Sequence, residues 1–70
     1  MIVGFIGLGT MGRNACRNVM RAGFQVIVHD IRPEAMTPLV ERGAAAAQTP
    51  AEVISRADAV VTMVFGPREI

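Results

Sequence analysis

The sequence predicts an α/β fold: a parallel sheet of four strands in the order 3-2-1-4, with helices on both faces. Three observations predict it. Short apolar runs alternate with helix-patterned segments long enough for parallel crossover connections. A glycine-rich turn, Gly7-Leu8-Gly9-Thr10-Met11-Gly12, follows the first run and opens the first helical segment. An acid, Asp30, closes the second run. With right-handed crossovers the order reverses between strands one and four, and a crevice opens beyond Ile6 and Phe65.

Met1 to Ile6 is a continuous apolar run, as expected of a central strand covered on both faces. Thr10 to Ala22 reads as a helix. Met11, Ala15, Cys16, Val19, Met20 and Ala22 share one face, and Arg13, Asn14, Arg17, Asn18 and Arg21 the other. Its first turn holds no acid, so its positive end is free for an anion, and Gly23 suits its close. Gln25 to Asp30 is the second strand. Pro33 suits a first helical position and Glu34 its first turn. Pro38 removes a backbone bond, so the segment to Arg42 reads as a kinked or two-part helix restarted at Thr37-Pro38 and ended by Gly43. Ala44 to Ala47 is a short strand by its place between two helix signals. Thr49-Pro50-Ala51-Glu52 is a capping box with proline at N1, opening a helix to Arg56. Asp58 to Phe65 is a β-branched apolar strand, broken by Gly66-Pro67.

The glycine turn is G-x-G-x-x-G with a strand before it, a helix after it and an acid eighteen residues beyond Gly12. In that context it reads as a dinucleotide site on a partial Rossmann fold. Gly7 permits the tight turn, Gly9 lets a diphosphate approach the main chain, and Gly12 lets helix and strand pack closely. The free N–H groups of the first helical turn hold the phosphates, with Thr10 offering a hydroxyl and an N–H. Residues 1–70 are expected to be the N-terminal part of a dinucleotide-binding domain. Strand four would otherwise be an open edge carrying Val60, Val61, Met63 and Val64, so the rest of the sheet is expected beyond Ile70.

Composition narrows the function. Hydrophobic residues make up 51% and charged residues 19%, which suits a packed unit. A net charge of +1, with three Phe and neither Trp nor Tyr, gives no case for nucleic acid. No run is long enough to span a bilayer, and the glycine-interrupted start without a basic region is not a signal peptide, so no membrane role and a cytoplasmic protein are expected. Lone Cys16 fits a reducing compartment. All seven basic residues are arginines, so lysine chemistry is outside this chain.

The segment GFIGLGTMGRNACRNVMRAGFQVIVHD, followed by RPEA, LVERGA, TPAEV and ADAVVTMV, resembles the N-terminal segment of the β-hydroxyacid dehydrogenases. That family includes 3-hydroxyisobutyrate dehydrogenase, tartronate semialdehyde reductase and 6-phosphogluconate dehydrogenase. The resemblance implies an oxidoreductase that moves a hydride between NAD(P) and a small β-hydroxyacid or its semialdehyde. It implies cofactor contacts at Gly7, Leu8, Gly9, Thr10, Met11 and Gly12, at Asp30, Ile31 and Arg32, and at the end of strand four, Val64 and Phe65. It also implies a catalytic lysine, a glycine-rich substrate loop and an all-helical second domain beyond Ile70, with homo-oligomer formation through that domain. This chain departs from the family at Val64-Phe65, where many relatives have Leu-Pro, and at Pro38.

Asp30 is read as the ligand of the adenosine ribose, its charge opposing a 2′-phosphate. NADP-preferring relatives tend to carry Asn-Arg where this chain has Asp30-Ile31, so NAD is expected over NADP, although Arg32 has reach toward a phosphate. The alternative for Asp30 is a solvated strand-end helix cap. His29 is read as a packing residue under a helix, Cys16 as a small buried hydrophobe, and Arg13, Arg17 and Arg21 as a solvated stripe. Met11 is a candidate cofactor wall. Against the enzyme stands a non-catalytic nucleotide-binding or assembly module with the same fold.

Overall fold

The computed structural model describes residues 1–62. Strands β1 (Ile2–Ile6), β2 (Gln25–His29), β3 (Ala45–Ala46) and β4 (Ala59–Thr62) alternate with helices α1 (Thr10–Arg21), α2 (Pro33–Val40) and α3 (Pro50–Arg56). The sheet order is β3-β2-β1-β4, as expected, and every pairing is parallel. β1 is central, with Ile6 opposite His29 on one side and Thr62 on the other.

Alternation along the strands divides the apolar residues between two faces. Phe5, Val26 and Val28 join Leu8, Cys16, Leu39 and Ala44 in a core with Ala15, Val19, Ala35 and Met36 of α1 and α2. On the opposite face Ile27, Ala47 and Val53 form a smaller core beneath α3, flanked by Ile2, Ile6 and Ala57. Gly4 explains how close α3 comes. A Cβ there would stand 2.5 Å from Val53 Cγ1 and 2.9 Å from the Ala57 Cβ, so only a hydrogen fits.

The segment after Pro33 is one helix rather than two. Pro38 lies inside α2 on its exposed side, and the carbonyl that lacks its N–H belongs to Glu34, also exposed. Water can serve that carbonyl, and Thr37 Oγ1 meanwhile donates to the Pro33 carbonyl at 3.3 Å. The helix stops at Val40, short of Arg42, in a turn where Gly43 N–H donates to Val40 O and Ala44 N–H to Leu39 O. α1 ends in the same way at Gly23 and Phe24, leaving Ala22 outside. Both closing glycines have positive φ, 98° and 112°, where a Cβ is costly.

The capping box before α3 forms with one change. Thr49 Oγ1 accepts the Glu52 N–H at 3.1 Å, but the Glu52 carboxylate reaches past the cap to the Gln48 N–H, also at 3.1 Å. β4 begins at Ala59 because Asp58 is used otherwise: its carboxylate accepts the Ile2 N–H at 2.7 Å while its own N–H donates to Ile2 O. Nothing in the sequence pattern marked that clasp. The end of the fourth predicted strand, including Val64 and Phe65, lies outside the described residues.

Candidate functional site: the glycine turn and Asp30

The turn between β1 and α1 depends on Gly7. Its φ of 86° lies in the region that side chains avoid, and its N–H donates to His29 O at 2.9 Å as the chain leaves the sheet. Gly9 then caps α1 without a side-chain acceptor, and no acid stands in the first turn. The helix therefore opens with amides and a partial positive charge that no protein side chain neutralises.

Asp30 is tied into this corner. Its Oδ2 accepts the Leu8 N–H at 2.8 Å, and its Oδ1 accepts the Arg32 N–H at 2.9 Å, closing an Asx turn that starts α2. The Arg32 guanidinium adds a longer contact to Oδ1 at 3.4 Å. Asp30 is 7% exposed, so it is not the solvated cap the bland reading supposes, although it does brace the approach to α2. Burial pushes its carboxyl upward. The Arg32 and Leu8 N–H groups and the Arg32 guanidinium together outweigh burial and hold it below the ordinary carboxylate value. Each carboxylate oxygen accepts two bonds, so Oδ2 keeps a lone pair for a further donor.

A cleft of about 790 Å³ opens at the carboxyl ends of β1 and β2, lined by Gly7, Leu8, Gly9, Asp30, Ile31 and Arg32 among others. The predicted residues meet it in different ways. Gly7 and Gly9 present bare main chain. Leu8 lends only its backbone, because its side chain is buried in the core and its N–H serves Asp30. Ile31 stands 89% exposed on the rim. Gly12 is buried and is not part of the cleft wall. Met11 is 76% exposed, leaving the apolar face assigned to it, and is likewise absent from the wall. Thr10 is the first residue of α1; its side chain, like Val64 and Phe65, lies outside what the structure describes.

Two other residues differ from expectation. His29 does not pack under a helix; it lines the cleft and sets Nδ1 3.0 Å from Ala47 O, fastening β3 to β2. The arginine stripe is not uniformly solvated. Arg21 is exposed, but Arg13 is half-buried against the cleft, and its Nε is fully buried without an acceptor. Cys16 does behave as a buried hydrophobe. Burial pushes its thiol up to about 11 against the pull of Arg17, and its Sγ lies 3.9 Å from Met20 Sδ. Among the described residues no group of His, Cys, Asp or Glu could hold a metal, and no helix is long and apolar enough to cross a membrane.

These features fit a dinucleotide. Amides at a helix start suit a diphosphate, a buried carboxylate with a spare lone pair suits a ribose hydroxyl, and an unpartnered guanidinium N–H suits a phosphate oxygen. Comparison with known proteins agrees. Residues 2–70 match the family described as the NAD binding domain of 6-phosphogluconate dehydrogenase. The mitochondrial 3-hydroxyisobutyrate dehydrogenase of Mus musculus is 43% identical over 61 residues, covering 87% of this chain and 18% of that protein. Among solved structures, the Mycobacterium tuberculosis 3-hydroxyisobutyrate dehydrogenase with L-serine superposes at a TM-score of 0.83 and 33% identity, over 90% of this chain and 22% of that one. A variant imine reductase from Myxococcus stipitatus in complex with NAD+ gives 0.86 and 27%, over 90% and 22%. The chain thus spans less than a quarter of the length of these relatives. With its Rossmann-like sheet order and its glycine turn braced by an acid, the chain belongs to the family of NAD-binding domains typified by 6-phosphogluconate dehydrogenase.

Proposed function

We propose that this chain is the N-terminal, cofactor-holding part of an oxidoreductase that transfers a hydride between NAD and a small β-hydroxyacid or its semialdehyde, of the 3-hydroxyisobutyrate kind. The observation that carries the reading is the bond from Leu8 N–H to Asp30 Oδ2 at 2.8 Å, which sets a bare glycine corner beside a ribose-binding acid in one cleft. The nicotinamide supplies the hydride chemistry when bound. The work of these residues is to hold and orient. Gly7, Gly9 and the amides from Thr10 onward receive the diphosphate, Asp30 takes a ribose hydroxyl through Oδ2, and Ile31 and Arg32 form the rim beside the adenosine. Met11 and Gly12 contribute from the helix start, and Val64 and Phe65 from the far wall.

The Asp30 charge favours NAD over NADP. The free, buried thiol of Cys16 fits a reducing compartment, and we place the protein in the cytoplasm, whereas the mouse relative is named as mitochondrial. The hydroxyacid substrate and a homo-oligomeric assembly are properties of the whole protein. With no lysine in its sequence, this chain is assigned binding and not proton transfer.

Titration with NAD, read by calorimetry, tests the assignment. The wild-type chain is expected to bind and Gly9→Val to lose most of that affinity, because the added side chain occupies the diphosphate's path. Equal affinity in the two proteins would remove the glycine corner from the site.

A further inference from the structure

We infer that Arg13 is a ligand of the cofactor's diphosphate, an ionic contact added to the glycine corner; the inference rests on the dinucleotide reading above. Arg13 lies four residues beyond Gly9, in the first turn of α1, and its N–H donates to Gly9 O at 2.9 Å. Side chains on a helix lean toward its N-terminus, so from this position the guanidinium leans toward the glycine turn. It lines the same cleft as Gly7, Gly9 and Asp30.

Its hydrogen bonding is incomplete. Arg13 Nε has no accessible surface and no acceptor, and buried polar atoms in that state are uncommon. The other arginines facing this side of the molecule are engaged: Arg32 contacts Asp30 at 3.4 Å, and Arg17 reaches Asn14 at 3.5 Å. Glu34 shares the cleft, yet the ion pairs among the described residues are Arg32–Asp30 and Arg56–Glu52 only. The guanidinium is thus desolvated on one edge, next to an anion corner, with no protein carboxylate neutralising it. A phosphate oxygen supplies the missing acceptor, and the planar fork of an arginine matches phosphate geometry. The diphosphate is favoured over a 2′-phosphate because the ribose end of the cleft is held by the Asp30 carboxylate, which repels one.

The test compares the wild-type full chain with Arg13→Gln and Arg13→Lys, titrated with NAD, ADP-ribose, NADP and adenosine, with circular dichroism and thermal melts as the check on folding. Arg13→Gln is expected to weaken NAD, ADP-ribose and NADP alike, by about tenfold. Adenosine binding stays unchanged, the salt dependence of NAD affinity becomes shallower, and Arg13→Lys recovers part of the loss. Unchanged NAD affinity in Arg13→Gln overturns the inference and leaves the dinucleotide reading standing. A loss confined to NADP moves the contact to the 2′-phosphate and also overturns it. A loss of adenosine in the same proportion, or a changed fold, overturns it by making Arg13 structural. A wild-type chain that binds neither NAD nor ADP-ribose removes the dinucleotide reading, and this inference with it.

Discussion

Leu8 and Asp30 stand twenty-two residues apart in sequence and are joined at 2.8 Å, main-chain N–H to carboxylate. The bond makes the corner after β1 and the end of β2 one unit. A ligand that needs both meets them already aligned.

Asp30→Ala is expected to cost stability even without a ligand. It leaves the Leu8 and Arg32 N–H groups without their acceptor, at a cost of about 2–4 kcal/mol for buried donors that lose a charged partner. Urea denaturation measures this, and a change within error would mean the corner holds itself. Asp30→Asn keeps an acceptor oxygen and loses the charge, so the preference for NAD over NADP should narrow in paired titrations.

The same carboxylate sets an acid limit. Its folded value lies below its unfolded value, so the stability it contributes is complete above about pH 4 and fades as pH falls through the folded value. Unfolding midpoints of wild type should therefore fall more steeply below that pH than those of Asp30→Asn, which carries no proton to take up. Parallel curves would remove Asp30 from the acid response.

Gly4 lies before the glycine motif and has no part in the cleft, yet Gly4→Val should be among the most damaging single changes. The new side chain collides with Val53 and Ala57, and α3 must shift outward, at a cost of about 1–3 kcal/mol or more. Thermal melts check this directly; Val53→Ala in the same chain should return part of the loss by opening room.

Cys16 should resist alkylation. Fully buried, with its thiol pushed up to about 11, it presents almost no thiolate at pH 8. Iodoacetamide labelling followed by mass spectrometry should find it unmodified in the folded chain and modified in urea. Rapid labelling under native conditions would mean that α1 opens readily.

Wherever local chemistry decides the structure, the sequence was legible. The apolar run of β1, the glycine turn, the Thr49 cap and the strand order all follow from residue type and spacing. Pro38 misled because helix interruption was weighed without knowing that the orphaned carbonyl of Glu34 faces water. Asp58 and Gly4 were silent for a different reason: the bond to Ile2 and the approach of Val53 join residues fifty or so positions apart, and spacing along the chain carries no record of them. Arg13 was read with Arg17 and Arg21 as one stripe, since helical periodicity gives direction around an axis but not the depth at which a neighbouring helix buries it. Asp30 was legible as an acid in the right place, though not as the acceptor that locks the turn.

Both completed helix ends on the lower side of the sheet, at Gly23 and Gly43, are shut by main-chain bonds that owe nothing to any side chain. The three connections on the upper side run instead through Gly9, Asp30 and Thr49, where individual side chains, or their absence, define what the surface presents. Descent with modification can therefore retune ligand preference along one margin of this domain while the opposite margin keeps its architecture intact.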